Sequence, residues 1–132
     1  MIPEPKWIGS EALRILHAQQ LDHFGGIGGL VDENVVESAL ARPRNLVYRD
    51  DVDLADLGAS YLCGLAQKQG FADGNKRTAV AAMLVFLRIN GKPLHVPPAE
   101  LYRLAMDVST NRISEMEVAA YLRQGGHADE TA

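Results

Sequence analysis

Apolar residues recur at helical spacing along most of the chain, and the breaks fall at glycine, proline or short polar clusters. Residues 11–24 are apolar at Leu13, Leu16, Ala18 and Leu21, with Ser10 as the expected cap and Gly25-Gly26 as the end. Asp32 is placed to cap a shorter helix that should reach about Ala41 and stop before Pro43. A third helix, over 54–68, carries Leu54, Leu57, Tyr61, Leu62 and Leu65 behind an Asp53 cap. The strongest apolar run follows over 76–90 and closes at Asn90-Gly91, where glycine suits a left-handed cap. Pro97-Pro98 opens a fifth helix to about Val108, and Ser114 with Glu117 forms a capping box for a sixth, ending near Arg123. Strand signals are weak: 45–48 and 92–96 could at most make extended edges. The pattern predicts an all-α domain over residues 4–123 with a flexible, solvated tail over 124–132.

Between the third and fourth helices the chain reads Gln69-Gly70-Phe71-Ala72-Asp73-Gly74-Asn75-Lys76-Arg77. The loop delivers Gly74, Asn75 and Lys76 to a helix start, where free N–H groups and the helix dipole favour an anion. Gly74 lets the backbone approach a ligand closely. Lys76 and Arg77 add full positive charge, and Arg77 can grip phosphate oxygens bidentately. Asp73 is the one hard oxygen ligand in the loop, suited to Mg²⁺ that also binds substrate phosphates. Phe71, among polar neighbours, is expected to anchor the loop inward. Asp-Gly-Asn is equally an ordinary turn between helices, with Asp73 or Asn75 as the cap.

The same segment resembles the signature of the Fic/Doc family, His-x-Phe-x-(Asp/Glu)-Gly-Asn-(Gly/Lys)-Arg, in every slot except the first, where Gln69 stands. Phe24-Gly25-Gly26-Ile27-Gly28-Gly29-Leu30 and the run after Arg77 resemble the Doc branch, the toxin half of Phd–Doc modules. The resemblance spans nearly the whole chain and implies a compact six-helix fold with a short extended flap. Lys76 stands where AMP-transferring Fic enzymes carry glycine, and Val80 where they carry a second arginine. In the family's logic such a lysine fills the α-phosphate pocket and inverts ATP, so the γ-phosphoryl is transferred. The resemblance thus implies a phosphotransferase acting on a hydroxyl of a translation elongation factor. Gly74, Asn75, Lys76 and Arg77 would hold ATP, and Asp73 would hold Mg²⁺. Leu46, Val47 and Tyr48 match the stretch that would present the target protein.

In the family the motif histidine accepts the proton of the attacking hydroxyl, a task suited to its near-neutral pKa. The Gln69 amide accepts no proton at relevant pH, so the chain is expected to be strongly impaired in catalysis while its nucleotide groups stay intact. An engineered knock-out, natural decay and a variant chemistry each accommodate Gln69. His17, His23, His95 and His127 read as surface or partly buried residues and poor replacements. The lone cysteine, Cys63, sits on an apolar helix face and reads as a structural thiol.

Composition narrows the setting. The chain has 132 residues, 47% of them hydrophobic, enough for one domain with a true core. A single cysteine excludes an internal disulfide and suits a reducing cytoplasm. The net charge of −4 argues against broad nucleic-acid or membrane binding. The longest apolar run, 79–87, falls far short of the ~20 residues that span a bilayer. No (Ser/Thr)-x-x-x-Glu-(Gly/Asn) self-inhibitory string occurs. The resemblance therefore implies restraint by a second chain, a Phd-like antitoxin. A relic that only binds antitoxin and tunes its operon, and an AMP-transferring Fic enzyme, are the rival readings.

Overall fold

The computed structural model describes residues 2–30 and 32–126, and these form six α-helices with no strand. They are α1 (Ser10–Phe24), α2 (Glu33–Leu46), α3 (Leu54–Gln67), α4 (Asn75–Ile89), α5 (Pro98–Ser109) and α6 (Glu115–Arg123). The core is organised around α3, buried from Ala55 through Ala66 except at Asp56. Helices α2, α4, α5 and α6 all pack on it, and α1 lies against α4. Small residues set the spacing: a Cβ on Gly64 would sit 3.5 Å from Ala39 of α2, and one on Gly58 would meet Leu87 of α4 at 3.2 Å.

Aromatic packing joins the amino-terminal segment to this core. Tyr61 is fully buried, and its hydroxyl accepts from Ile8 N at 2.9 Å, which satisfies the polar tip of an otherwise apolar side chain. Phe86 packs 4.9 Å from Tyr61 and 6.0 Å from Trp7. Asn90 caps α4 and clasps the same segment, accepting from Lys6 N at 2.8 Å and donating to Lys6 O at 3.0 Å.

Three boundaries differ from the sequence expectation. Gly9, not Ser10, is the N-cap of α1, and no side chain caps that helix. Helix α2 does not stop at Pro43 but runs through it to Leu46. Proline removes one helical N–H, yet Ala39, Leu40 and Pro43 are buried on the α3 side and Val47 N still reaches Pro43 O at 3.1 Å. Packing holds the extra turn, so the segment expected to be extended is helix and turn, with Val47 at φ −60° and ψ −19°. Of the expected tail, Gln124 to Gly126 instead form the close of α6, Gly126 N donating to Tyr121 O at 2.9 Å. His127 and the rest of the expected tail lie outside the described residues. The Asp32 and Asp53 caps and the Ser114–Glu117 box form as expected, and Asp56 completes a second capping box on α3.

Candidate active site

The loop 68–74 between α3 and α4 is held by its neighbours rather than by a regular turn. Phe71 points inward, 5% exposed, and stacks on His17 of α1 with ring centres 3.8 Å apart. His17, itself buried, donates from Nε2 to the carbonyl of Asp73 at 2.7 Å. On the other side lies the glycine-rich segment after α1. Ala72 N donates to Gly29 O, Leu30 bridges to Phe71, and Asp32 N donates to Gly70 O. Two glycines are demanded by close approach. A Cβ on Gly70 would fall 2.4 Å from Val36 Cγ2, and one on Gly26, at φ +130°, would fall 2.9 Å from the Asp73 carboxylate.

Asn75 closes the loop from within. Its side-chain oxygen accepts from Phe71 N at 3.1 Å and its nitrogen donates to Phe71 O at 2.9 Å. Both ends of the amide are tied to the Phe71 backbone, which fixes the side chain, while the Asn75 backbone N–H lies at the helix start. Gly74 is the N-cap of α4, in the left-handed region at φ 77°, and no side chain caps the helix. The first intrahelical donor is Thr78 N, to Gly74 O at 3.0 Å. Neither Asp73 nor Asn75 acts as the cap that an ordinary turn reading requires. The amides of Asn75, Lys76 and Arg77 therefore form an uncapped, electropositive helix start.

Around that start lies a polar cavity of about 160 Å³, lined by Gln69, Asp73, Gly74, Lys76, Arg77 and Tyr102 together with Ala72 and Asn75. Pockets that enclose whole drug-sized molecules span ~300–1,000 Å³, so this one matches a phosphate group rather than an entire nucleotide. Asp73 is exposed; Oδ1 accepts from Gly74 N at 2.8 Å and Oδ2 from Ile27 N at a long 3.3 Å. Asp73 is the one carboxylate among the residues that line the cavity, and no group of three or more His, Cys, Asp or Glu placed to hold a metal occurs among the described residues. That donor set fits Mg²⁺, which usually takes one or two carboxylates and completes its shell with water and phosphate. Arg77 has no ion pair among the described residues, and its guanidinium lies 4.4 Å from the Phe24 ring and 5.1 Å from the Tyr102 ring.

Every loop residue singled out from the sequence, Gln69, Asp73, Gly74, Asn75, Lys76 and Arg77, lines this one cavity. Leu46, Val47 and Tyr48 do not belong to it. Leu46 borders a separate cavity of about 300 Å³ with Asp56 and Glu115, beside the first turn of α3. Gln69 follows the far end of that 14-residue helix, about 20 Å away at 1.5 Å per residue. Residues 46–48 thus lie away from the loop, and the segment beside it is 26–30, with Ile27 72% exposed. Sequence reasoning also took His17 for a surface or partly buried residue and overlooked Tyr102. His17 stands four positions from both Leu13 and Leu21, so helical spacing already put it on the buried face. Its Nε2 is engaged and it does not line the cavity. Cys63 is buried, and desolvation followed by nearby Glu115 pushes its thiol up to about 12, which leaves it chemically quiet.

An uncapped helix start joined to an acid–glycine–amide–cation loop is an arrangement suited to an anion such as phosphate. Residues 7–87 match the model of the Fic/DOC family, and the chain belongs to that family. It is 36% identical over 118 residues to the protein kinase Doc of Escherichia phage P1, covering 89% of this chain and 93% of that protein. It is 44% identical over 73 residues to the toxin Doc of Mycolicibacterium smegmatis, covering 54% and 56%. The chain is a Doc-like toxin of a kinase-related transferase family.

Proposed function

We propose that this chain holds ATP with its phosphates at the start of α4 and belongs to the Doc toxins that move the γ-phosphoryl to a protein hydroxyl. The observation that carries the reading is the convergence of Asp73, Lys76, Arg77 and the uncapped amides of α4 on one cavity. Asp73 would hold Mg²⁺, which when bound supplies positive charge to the phosphate oxygens. Lys76 and Arg77 neutralise and orient the phosphates, Gly74 lets them approach without an obstructing side chain, and the backbone N–H groups of Asn75, Lys76 and Arg77 at the uncapped helix start offer them hydrogen bonds. Phosphoryl transfer depends mostly on such positioning and charge stabilisation. The target is a translation elongation factor, and the edge at 26–30 is the segment that presents its extended chain.

Gln69 stands at the mouth of the cavity, exposed, where the proton of the attacking hydroxyl must go. It can orient that hydroxyl but not take its proton, so the chain as it stands is strongly impaired. Restraint of an active form falls to an antitoxin of the Phd kind, and the setting is the cytoplasm. Among the described residues no helix is long and apolar enough to cross a membrane.

The test is restoration. Gln69→His should arrest growth on expression, and Asp73→Ala added to it should relieve the arrest. Unchanged growth despite folded Gln69→His protein would favour the rival reading, a relic that only binds antitoxin, for which Gln69 itself is the specific support. AMP transfer is disfavoured by Lys76, a half-buried cation in the cavity wall. Lys76→Gly in the histidine-restored protein should shift labelling from γ-phosphoryl towards AMP, and no shift would remove the inverted-ATP argument.

A further inference from the structure

Arg77 is held by aromatic rings rather than by a carboxylate, as Arg44 is over Trp7, but with two rings instead of one. Arg14, Arg42 and Arg123 each lie within 3.1 Å of a carboxylate. Arg77 instead lies between two aromatic rings from two other helices, Phe24 at the end of α1 and Tyr102 on the second turn of α5. Phe24 is 54% exposed, so its ring lies at the surface within reach of the Arg77 guanidinium.

We propose that Phe24 and Tyr102 are positioning residues that clamp Arg77, presenting its guanidinium to a phosphate as a pre-aimed and unneutralised cation. Arginine has one of the largest rotamer entropies of any side chain, and a ligand that binds a loose one must freeze it. A carboxylate partner would freeze it in advance but would also cancel its charge and occupy the N–H edge. A ring face attracts the cation through its quadrupole and leaves the in-plane N–H donors free. Two rings therefore supply order without competition. Tyr102 and Arg77 line the same cavity, so the clamp is built into the wall that the ligand meets. Phe24 is followed directly by Gly25 and Gly26, and the latter abuts the Asp73 carboxylate, so one turn of chain sets both the cation and the acid. The inference rests on the proposed function in naming ATP, but the clamp itself requires only a phosphate-bearing ligand.

The experiment uses the full chain with Mg·ATP and inorganic tripolyphosphate as separate calorimetric probes. Tyr102→Leu and Phe24→Leu should each weaken both probes about two- to fivefold, the range of a single cation–π contact. Tyr102→Phe, which keeps the ring, should bind as the parent does. In an Arg77→Ala background Tyr102→Leu should change nothing further. Side-chain NMR gives a ligand-free readout: the Arg77 δ-methylene resonances should be ring-current shifted in the parent and move towards random-coil values in each leucine variant. Parent-like affinity in Tyr102→Leu, an equal loss in the Arg77→Ala background, or an unshifted Arg77 would each overturn the clamp. Tripolyphosphate binding without ATP binding would keep the clamp and sink the nucleotide reading. ATP binding that ignores both rings would do the reverse. No binding of either probe would end both.

Discussion

The starts of α3 and α4 face the same physical problem and meet it in opposite ways. At α3, Asp53 accepts from Asp56 N at 2.9 Å and Asp56 accepts from Asp53 N at 3.0 Å, a closed capping box. Arg123 of α6 then binds both acids, at 2.7 Å and 3.1 Å. At α4 no side chain caps the helix, and the nearby acid and amide turn elsewhere, Asp73 to Gly74 and Ile27, Asn75 to Phe71. One helix start is sealed with the protein's own charges and the other is kept open. An open start alone is not informative, because α1 and α5 also lack side-chain caps. What sets α4 apart is the company: two cations without carboxylate partners among the described residues, an exposed acid, and a cavity between them.

The contrast can be broken from the open end first. Gln69→His should raise phosphoryl transfer by roughly 10²–10⁴-fold, the usual worth of a general base, in a γ-labelled ATP assay with a translation factor as acceptor. A rise of less than threefold would mean that position 69 is not where the proton is taken. Next in size, Arg77→Ala should weaken ATP binding by about 1.5–3 kcal/mol, the scale of a charge-assisted hydrogen bond, with little change in thermal midpoint. Unchanged calorimetric affinity would remove Arg77 from the site.

Structural substitutions probe the frame. Gly70→Ala must push its new methyl into Val36 and should cost about 1–3 kcal/mol of overpacking, read as a lower midpoint in urea. Wild-type stability there would show that the loop has slack. At the sealed end, Asp53→Ala should lose about 0.5–2 kcal/mol, the typical worth of an N-cap, and leave ATP affinity alone. A matching loss of affinity would tie the two ends together and undo the comparison.

The smallest effect is in pH. The Arg123 guanidinium, ahead of the capping-box bonds, holds the Asp53 carboxyl well below its usual 3.8. A depressed acid stabilises the fold fully above its unfolded pKa, near 4, and that contribution fades as pH falls through the lower folded value. Asp56, raised chiefly by burial, offsets part of it. Arg123→Ala should therefore cost under about 1 kcal/mol at neutral pH, since the pair is half exposed and screened. The gap from the parent should narrow on acidification below pH 4. A gap that widens there would reverse the sign assigned to Asp53.

Local signals carried far in this chain. The caps at Asp32, Asp53 and Ser114, the stop at Gly25 and the entry at Pro97-Pro98 all depend on residues within one turn of each other, and each formed where the sequence placed it. The gathering of the loop residues round one cavity was legible for the same reason, since Asp73 to Arg77 are consecutive and the α4 start needs only the next few residues. Pro43 misled because its helix-breaking tendency is local, while the α3 surface that holds α2 together is not. That 26–30 folds back onto Phe71 was not legible, because chain order says nothing about which loop packs on which.

The sequence by itself determined the six helices and the cluster of acid, amide and cations, because those follow from composition and spacing over a few residues. Only the tertiary structure decided that His17 reaches the Asp73 carbonyl, that Ile27 and Leu30 rather than Tyr48 flank the loop, and that Phe24 and Tyr102 bracket Arg77. Those contacts join residues from different helices, and their geometry depends on how α1, α4 and α5 pack, which no short stretch of chain encodes.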